Sequence, residues 1–186
     1  MVMTAEDIKF ELMRYYLYER QFLCVTTEQN MYYGRADIWV LDRDYMGIEI
    51  EIKVSKADLI SELNSIKHIV GELSGVRGAK YIKHERYIKY ANAPEYSKNL
   101  LPNRFYFCVP EHLQETAITC LRHTPYGLLV CIADQSRIIA TKVVKSGKLI
   151  HRTAVGQRLV KETIRRINFE NIELKKRLRN YNNNLT

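Results

Sequence analysis

The residues best suited to chemistry lie between Arg35 and Asp58. From Ile48 to Val54 apolar and charged residues alternate at every position, the period of a strand with one buried face. Ile48, Ile50, Ile52 and Val54 are expected in the core. Glu49, Glu51 and Lys53 then stand in a row on the other face, roughly 7 Å between successive side chains at about 3.3 Å rise per residue. Ala36 to Leu41 reads as a second strand, and the turn formers Asp42-Arg43-Asp44 predict a hairpin. Directly opposed residues of an antiparallel pair share a face. A three-residue loop centred on Asp44 sets Asp37 opposite Glu51, Trp39 opposite Glu49 and Arg35 opposite Lys53. An even-length loop without a bulge would set Asp37 against an isoleucine. Two carboxylates and an ammonium therefore converge. Hard divalent cations take carboxylate oxygens, and Mg2+ commonly uses one or two of them with water and substrate phosphate. A lysine beside such a pair is placed to orient or deprotonate the attacking water, or to stabilise charge developing on phosphorus. The set predicts metal-assisted phosphodiester hydrolysis. Taken alone, Glu51-x-Lys53 also suits ordinary cross-strand ion pairing on a solvated face, worth a fraction of a kcal/mol. The parity of Asp37 and the helix start after Lys53 favour the chemical reading.

The elements that must position these groups are legible from periodicity and caps. Thr4 with Asp7 forms an N-cap, and Ile8, Leu12, Tyr15 and Tyr16 carry a helix to about Glu19. Phe22 to Thr27 reads as the first strand, with Glu28 at its end. Ser55 and Asp58 cap a helix to about Val70, with Leu59, Leu63, Ile66 and Val70 on one stripe. That helix is expected to cover the hairpin's apolar face and to leave Lys56, Glu62 and Lys67 on a solvated side. Phe105 to Val109 is a strand between Pro102 and Pro110, Glu111 to about Cys120 a helix, and Leu128 to Ala133 and Ile138 to Val144 two more strands. The order α-β-β-β-α-β-α-β predicts a mixed sheet flanked by helices.

Asp37, thirteen residues, then Glu51-Ile52-Lys53 resembles the Asp...Glu-x-Lys signature of the PD-(D/E)XK nuclease superfamily. The longer run, Arg35-Ala-Asp37 with Glu51-Ile-Lys-Val-Ser-Lys-Ala-Asp58 and, downstream, Asn103-Arg-Phe-Tyr-Phe-Cys-Val-Pro110, is similar to the MmcB-like DNA repair branch and its phage-encoded relatives. The match spans roughly residues 5 to 133. The resemblance implies an α/β fold with a restriction-endonuclease-like αβββαβ core and Mg2+ (or Mn2+) as cofactor. It implies a metal held by Asp37, Glu51 and the Ile52 backbone carbonyl, Lys53 positioning the water, and cleavage of DNA leaving 5′-phosphate ends. In the family the first helix often carries an acid toward the metal. Glu11 is the candidate here, against a solvated charge on the outer helix face; Glu28 is a candidate outer metal or water contact. Relatives often carry a Lys-His pair ahead of the Phe-Tyr-Phe-x-Val-Pro strand; Lys83-His84 matches it and Lys67-His68 is the rival.

The 186 residues predict one domain over 1–150, containing an insert at 71–103, followed by a basic helix and short tail over 151–186. A net charge of +8 and a pI near 9.3 favour a polyanionic partner, DNA first. In the insert, Lys80, Lys83, His84, Arg86 and Lys89 interleave with Tyr81, Tyr87 and Tyr90. That pattern suits phosphate contacts with stacking, and equally a helix pinned to the core. Together with Lys56 these bases are the candidate nucleic-acid contacts. From Ala154 to about Asn180, Val160, Ile164, Ile167, Asn171, Leu174 and Leu178 form a heptad seam with one polar position. A homodimer through that helix and packing back onto the parent domain are both open. Four cysteines without zinc spacing read as reduced thiols. No secretory pattern opens the chain, and the longest clean apolar run, Leu128 to Ala133, is far too short to span a bilayer. A cytoplasmic protein without membrane partners is expected. The alternative function is a catalytically inactive, nuclease-like module that binds nucleic acid or protein; a dimeric scaffold is a third.

Overall fold

The alternation of isoleucine and glutamate does form a strand, and that strand lies inside a six-stranded sheet. The structure, a computed structural model, describes residues 3–32, 34–69, 79–89, 98–134 and 138–183. The strands are β1 (Cys24–Met31), β2 (Gly34–Leu41), β3 (Gly47–Ile52), β4 (Arg104–Pro110), β5 (Gly127–Ala133) and β6 (Ile138–Lys145). They lie side by side in chain order. β1, β2 and β3 pair antiparallel, β3 with β4 and β4 with β5 parallel, and β6 closes the far edge antiparallel to β5. The helices are α1 (Ala5–Arg14, continued by a π turn over Tyr15–Glu19), α2 (Lys56–Ile69), α3 (Ala79–Lys89), α4 (Gln114–Leu121, after a 3-10 turn over Glu111–Leu113) and α5 (Gln157–Asn183).

Parallel neighbours need crossovers, and right-handed crossovers stepping in one direction across a sheet put their helices on one face. Here Leu59, Leu63 and Ile66 of α2, Tyr87 of α3 and Ala117 and Leu121 of α4 share one core with Phe105, Phe107, Leu128 and Val130. Phe105 and Phe107 are the ladder partners of Glu49 and Glu51. The α2 helix therefore covers the glutamate face of β3, not its apolar face as the stripe alone suggested. The isoleucines instead meet α1: Ile8 and Leu12 pack with Ile38, Val40, Ile48, Ile50 and Ile52. Both faces of β3 are consequently buried. Val54 lies beyond the strand and is exposed rather than in the core.

Local chemistry fixes the ends. Thr4 and Asp7 form a reciprocal capping box on α1, worth about 1 kcal/mol. Residues 42–46 join β2 to β3, a longer connection than expected, but it is odd in length and centred on Asp44. Parity is thus preserved: Trp39 faces Glu49 and Ile38 faces Ile50. The Asp42 carboxylate accepts the Asp44 and Met46 N–H groups at 2.9 and 2.8 Å. At Gly47 a Cβ would come within 2.0 Å of the Trp39 ring, so only glycine admits the indole there.

The start of α5 closes the β1–β2 end, where Val155 and Leu159 pack with Ala36, Trp39 and Leu41. Further on, Thr27 donates its N–H and hydroxyl to Glu170, and Arg166 donates to the Thr27 carbonyl at 2.9 Å. Packing back onto the domain is thereby realised for the first half of the helix. Among the described residues no helix is long and apolar enough to cross a membrane.

Candidate functional site

Asp37 and Glu51 follow one step beyond the last ladder pair of β2 and β3, Ile38 with Ile50. There the Asp37 side chain takes over from the strand: its Oδ2 accepts the Ile52 N–H at 2.8 Å. Burial, then the charge of Glu51, pushes the Asp37 acid up to about 6, against the opposing pull of the Ile52 N–H and Lys53. This is the behaviour of two carboxylates sharing one low-dielectric site.

Beyond β3 the chain stays anchored, because the Lys53 N–H donates to the Cys108 carbonyl at 3.0 Å. The Lys53 ammonium turns back into a buried ionic chain. It pairs with Glu51 Oε1 and Glu62 Oε2, each at 2.9 Å, and more distantly with Asp58 at 3.5 Å. The second oxygen of Glu51 pairs with Lys83 Nζ at 2.8 Å, and Lys83 reaches on to Glu49 at 2.7 Å. Tyr87 donates to the other Glu49 oxygen. Burial alone would lower both lysines, but Glu51 with Glu62 for Lys53, and Glu49 with Glu51 for Lys83, outweigh it and hold both above the ordinary value. Both therefore remain ammonium.

His84 closes the chain. Its Nε2 lies 3.0 Å from Glu62 and its Nδ1 3.0 Å from the Tyr126 hydroxyl. Burial holds its pKa below the usual histidine range despite Glu62, so the ring is neutral. An ionised carboxylate only accepts, so Nε2 carries the proton and Nδ1 accepts from Tyr126. Among the described residues Glu51, Glu62, Asp58 and Glu49 are ion-paired with two ammoniums, Lys53 and Lys83, and Asp37 lies within the field of Lys53.

The remaining candidates are distributed otherwise. Glu11 is buried rather than solvated, bound by Arg14 at 2.9 Å. It sits near Thr141, Cys108 and Cys131 on the isoleucine side, across the sheet from Asp37 and Glu51. Glu28, at φ 52°, falls between the ladder pairs Thr27–Ile38 and Gln29–Ala36, at the level of Asp37, and adds negative field there, but its carboxylate is paired with Lys9 and Arg35. Arg35 is thus engaged by Glu28 instead of standing opposite Lys53. Lys83 and His84, expected at a nucleic-acid surface, point inward and are buried, because their polar atoms serve the glutamates. Lys56 is exposed at the start of α2 and Arg86 is half-buried. Lys80 and Lys89 lie on α3 and Lys67-His68 on α2, but these side chains fall outside the described residues. No group of three or more His, Cys, Asp or Glu suited to a metal occurs among the described residues; Asp37 and Glu51 form a pair.

Glu62 is the residue sequence reasoning misplaced. Expected on a solvated face, it is buried between Lys53 and His84. The signal was present, since 59, 62, 63 and 66 recur at the i, i+3, i+4, i+7 spacing of a buried stripe. Tyr126, in a loop before β5, carried no such signal.

A mixed α/β architecture with both sheet faces covered by helices is therefore the class of protein in hand. No family model matches the chain, and no curated protein matches it. Among solved structures it is similar to the SPO1766 protein of unknown function from Silicibacter pomeroyi, at 13% identity, with 95% of this chain and 92% of that chain covered and a TM-score of 0.56. At that identity the likeness shows a shared fold over nearly the whole chain, and nothing of activity.

Proposed function

We propose that this chain is a Mg2+- or Mn2+-dependent nuclease of PD-(D/E)XK type that hydrolyses DNA phosphodiester bonds. One observation carries the reading: Asp37 and Glu51 meet across β2 and β3 on the same face, with Lys53 ion-paired to Glu51. The donor set fits the cation. Both groups are hard oxygen donors, and burial together with the facing Glu51 charge raises the Asp37 acid, a cost that a bound cation would relieve. Asp37, Glu51 and the Ile52 carbonyl would hold the metal, which when bound supplies Lewis acidity and a more acidic water. Lys53, held as an ammonium, directs an N–H to the nucleophilic water or to a phosphoryl oxygen. Its longest partner, Asp58 at 3.5 Å, is the one such a group would replace. Glu62, backed by neutral His84, fixes where that ammonium stands. The surplus of basic residues, among them exposed Lys56, suits the phosphate backbone.

The test is cleavage of labelled single-stranded, duplex and branched DNA with Mg2+ or Mn2+, beside EDTA and Lys53→Ala controls. Metal-dependent cutting is expected, lowered at least ~100-fold in Lys53→Ala. A second reading, a nuclease-like module that only binds, is favoured by one fact: each oxygen of Glu51 already carries an ammonium. No cutting on any substrate, with no calorimetric Mg2+ binding, would move the assignment there.

A further inference from the structure

The stripe that anchors α5 and the heptad seam along it are different surfaces. Leu159, Thr163, Arg166 and Glu170 face the domain: Leu159 packs with Trp39 and Leu41, Thr163 is buried, and Arg166 and Glu170 bond Thr27. The seam runs beside them through Ile164, Ile167, Asn171, Leu174, Leu178 and Tyr181, in alternating steps of three and four. Ile167 is half-buried, and the other side chains are open to solvent, with Ile164 53%, Leu174 56%, Leu178 54% and Tyr181 63% exposed. From Asn171 onward no seam position is buried. Large apolar groups recurring at coiled-coil spacing over roughly 26 Å of helix, at 1.5 Å per residue, are a surface built to be covered.

We propose that this seam is covered by the same helix of a second copy of the chain, running parallel to it. The polar position selects that occupant. With Ile164, Asn171 and Leu178 at a and Ile167, Leu174 and Tyr181 at d, a parallel pair sets each residue against its own counterpart. Asn171 then meets Asn171 of the second copy, and the two amides satisfy one another. An antiparallel pair in the register that buries all six positions would oppose Asn171 with Leu174 and strand its amide against leucine. Lys176 and Arg179 are left pointing outward. The pairing stands apart from the nuclease reading, since none of its residues belongs to the ionic chain around Glu51.

Sedimentation of the full chain tests it. A dimer mass is expected at roughly 100 μM or below, and Leu174→Glu with Leu178→Glu, both exposed, is expected to halve that mass while the chain still unfolds cooperatively, at a melting temperature that no longer rises with concentration. Orientation is read separately: under mild oxidation Leu174→Cys is expected to crosslink to itself faster than any native cysteine does. A monomer mass throughout that range, or a dimer indifferent to the two glutamates, would overturn the proposal. So would crosslinking that requires mixing Leu174→Cys with Asn171→Cys chains, which marks an antiparallel pair.

Discussion

Asp37→Asn is expected to abolish metal-dependent cleavage, by at least ~1,000-fold, while raising the melting temperature at pH 8 in the absence of metal. The two effects share one cause. Asp37 titrates near 6 in the fold, against 3.8 for the free side chain. The folded state therefore binds that proton more tightly than the unfolded state. Its contribution to stability is full below about pH 4 and is lost as pH rises through 6. Above pH 6 the ionised carboxylate costs the fold up to about 3 kcal/mol, because each pKa unit is about 1.4 kcal/mol. Asparagine keeps an acceptor for the Ile52 N–H and removes the charge facing Glu51. Thermal melts of both proteins at pH 4 and pH 8 are the measurement, with agreement expected at the first and several degrees of gain at the second. Added Mg2+ should stabilise the wild type and leave the variant unmoved. Retained cleavage by a preparation free of wild type would sink the nuclease assignment. A lower melting temperature at pH 8 would show instead that the Asp37 charge is paired in the fold.

Lys83→Met is expected to lose about 3–5 kcal/mol in urea denaturation, the range for removing one partner of a buried ion pair. Methionine fills much of the volume beside Phe105, over whose ring the ammonium sits at 5.1 Å, so the loss is mainly electrostatic. Glu49, fully buried, and Glu51 would face one another without their shared counterion. Adding Glu49→Gln should recover part of the deficit, since the two residues form one coupled set. Lys56→Met, at an exposed position, should change stability by no more than about 0.5 kcal/mol. If Lys83→Met were as stable as the wild type, Lys83 would not be the counterion, and its expected role at a nucleic-acid surface would return.

These outcomes turn on what local sequence can and cannot encode. The β2–β3 register was legible because side-chain parity is a strict constraint. An odd connection centred on Asp44 had to bring Asp37 to the side of Glu51, and a five-residue loop serves as well as a three-residue one. The helices were harder. A stripe such as Leu59, Leu63 and Ile66 says that a face is buried, but not against which side of the sheet. That side depends on the chain's route from β3 to β4, set by crossover handedness and by α1 already holding the isoleucines. Once α2 is assigned to the glutamate face, Glu62 must point inward. By the same logic Lys83 and His84, read as surface bases by charge alone, become the groups that let glutamates be buried. The insert held both meanings in one pattern, and only the partners 32 and 22 residues away in sequence decide between them. The C-terminal helix likewise carried two surfaces at once, one bound to Thr27 and one open.

The Asp37 bond to the Ile52 N–H has a spectroscopic consequence. A single backbone amide, at the end of a central strand, depends for its acceptor on a side chain that, on the proposed reading, would also meet the incoming cation. As the carboxylate reorients, the electron density pulling on that proton falls. In an amide-resolved magnetic resonance titration the Ile52 resonance should then move with added Mg2+ while those of Ile48 and Ile50, fixed within the sheet, hold still. On the proposed reading the Ile52 amide would thus be an intrinsic probe, reporting cation binding with no substrate present and before any bond is cut.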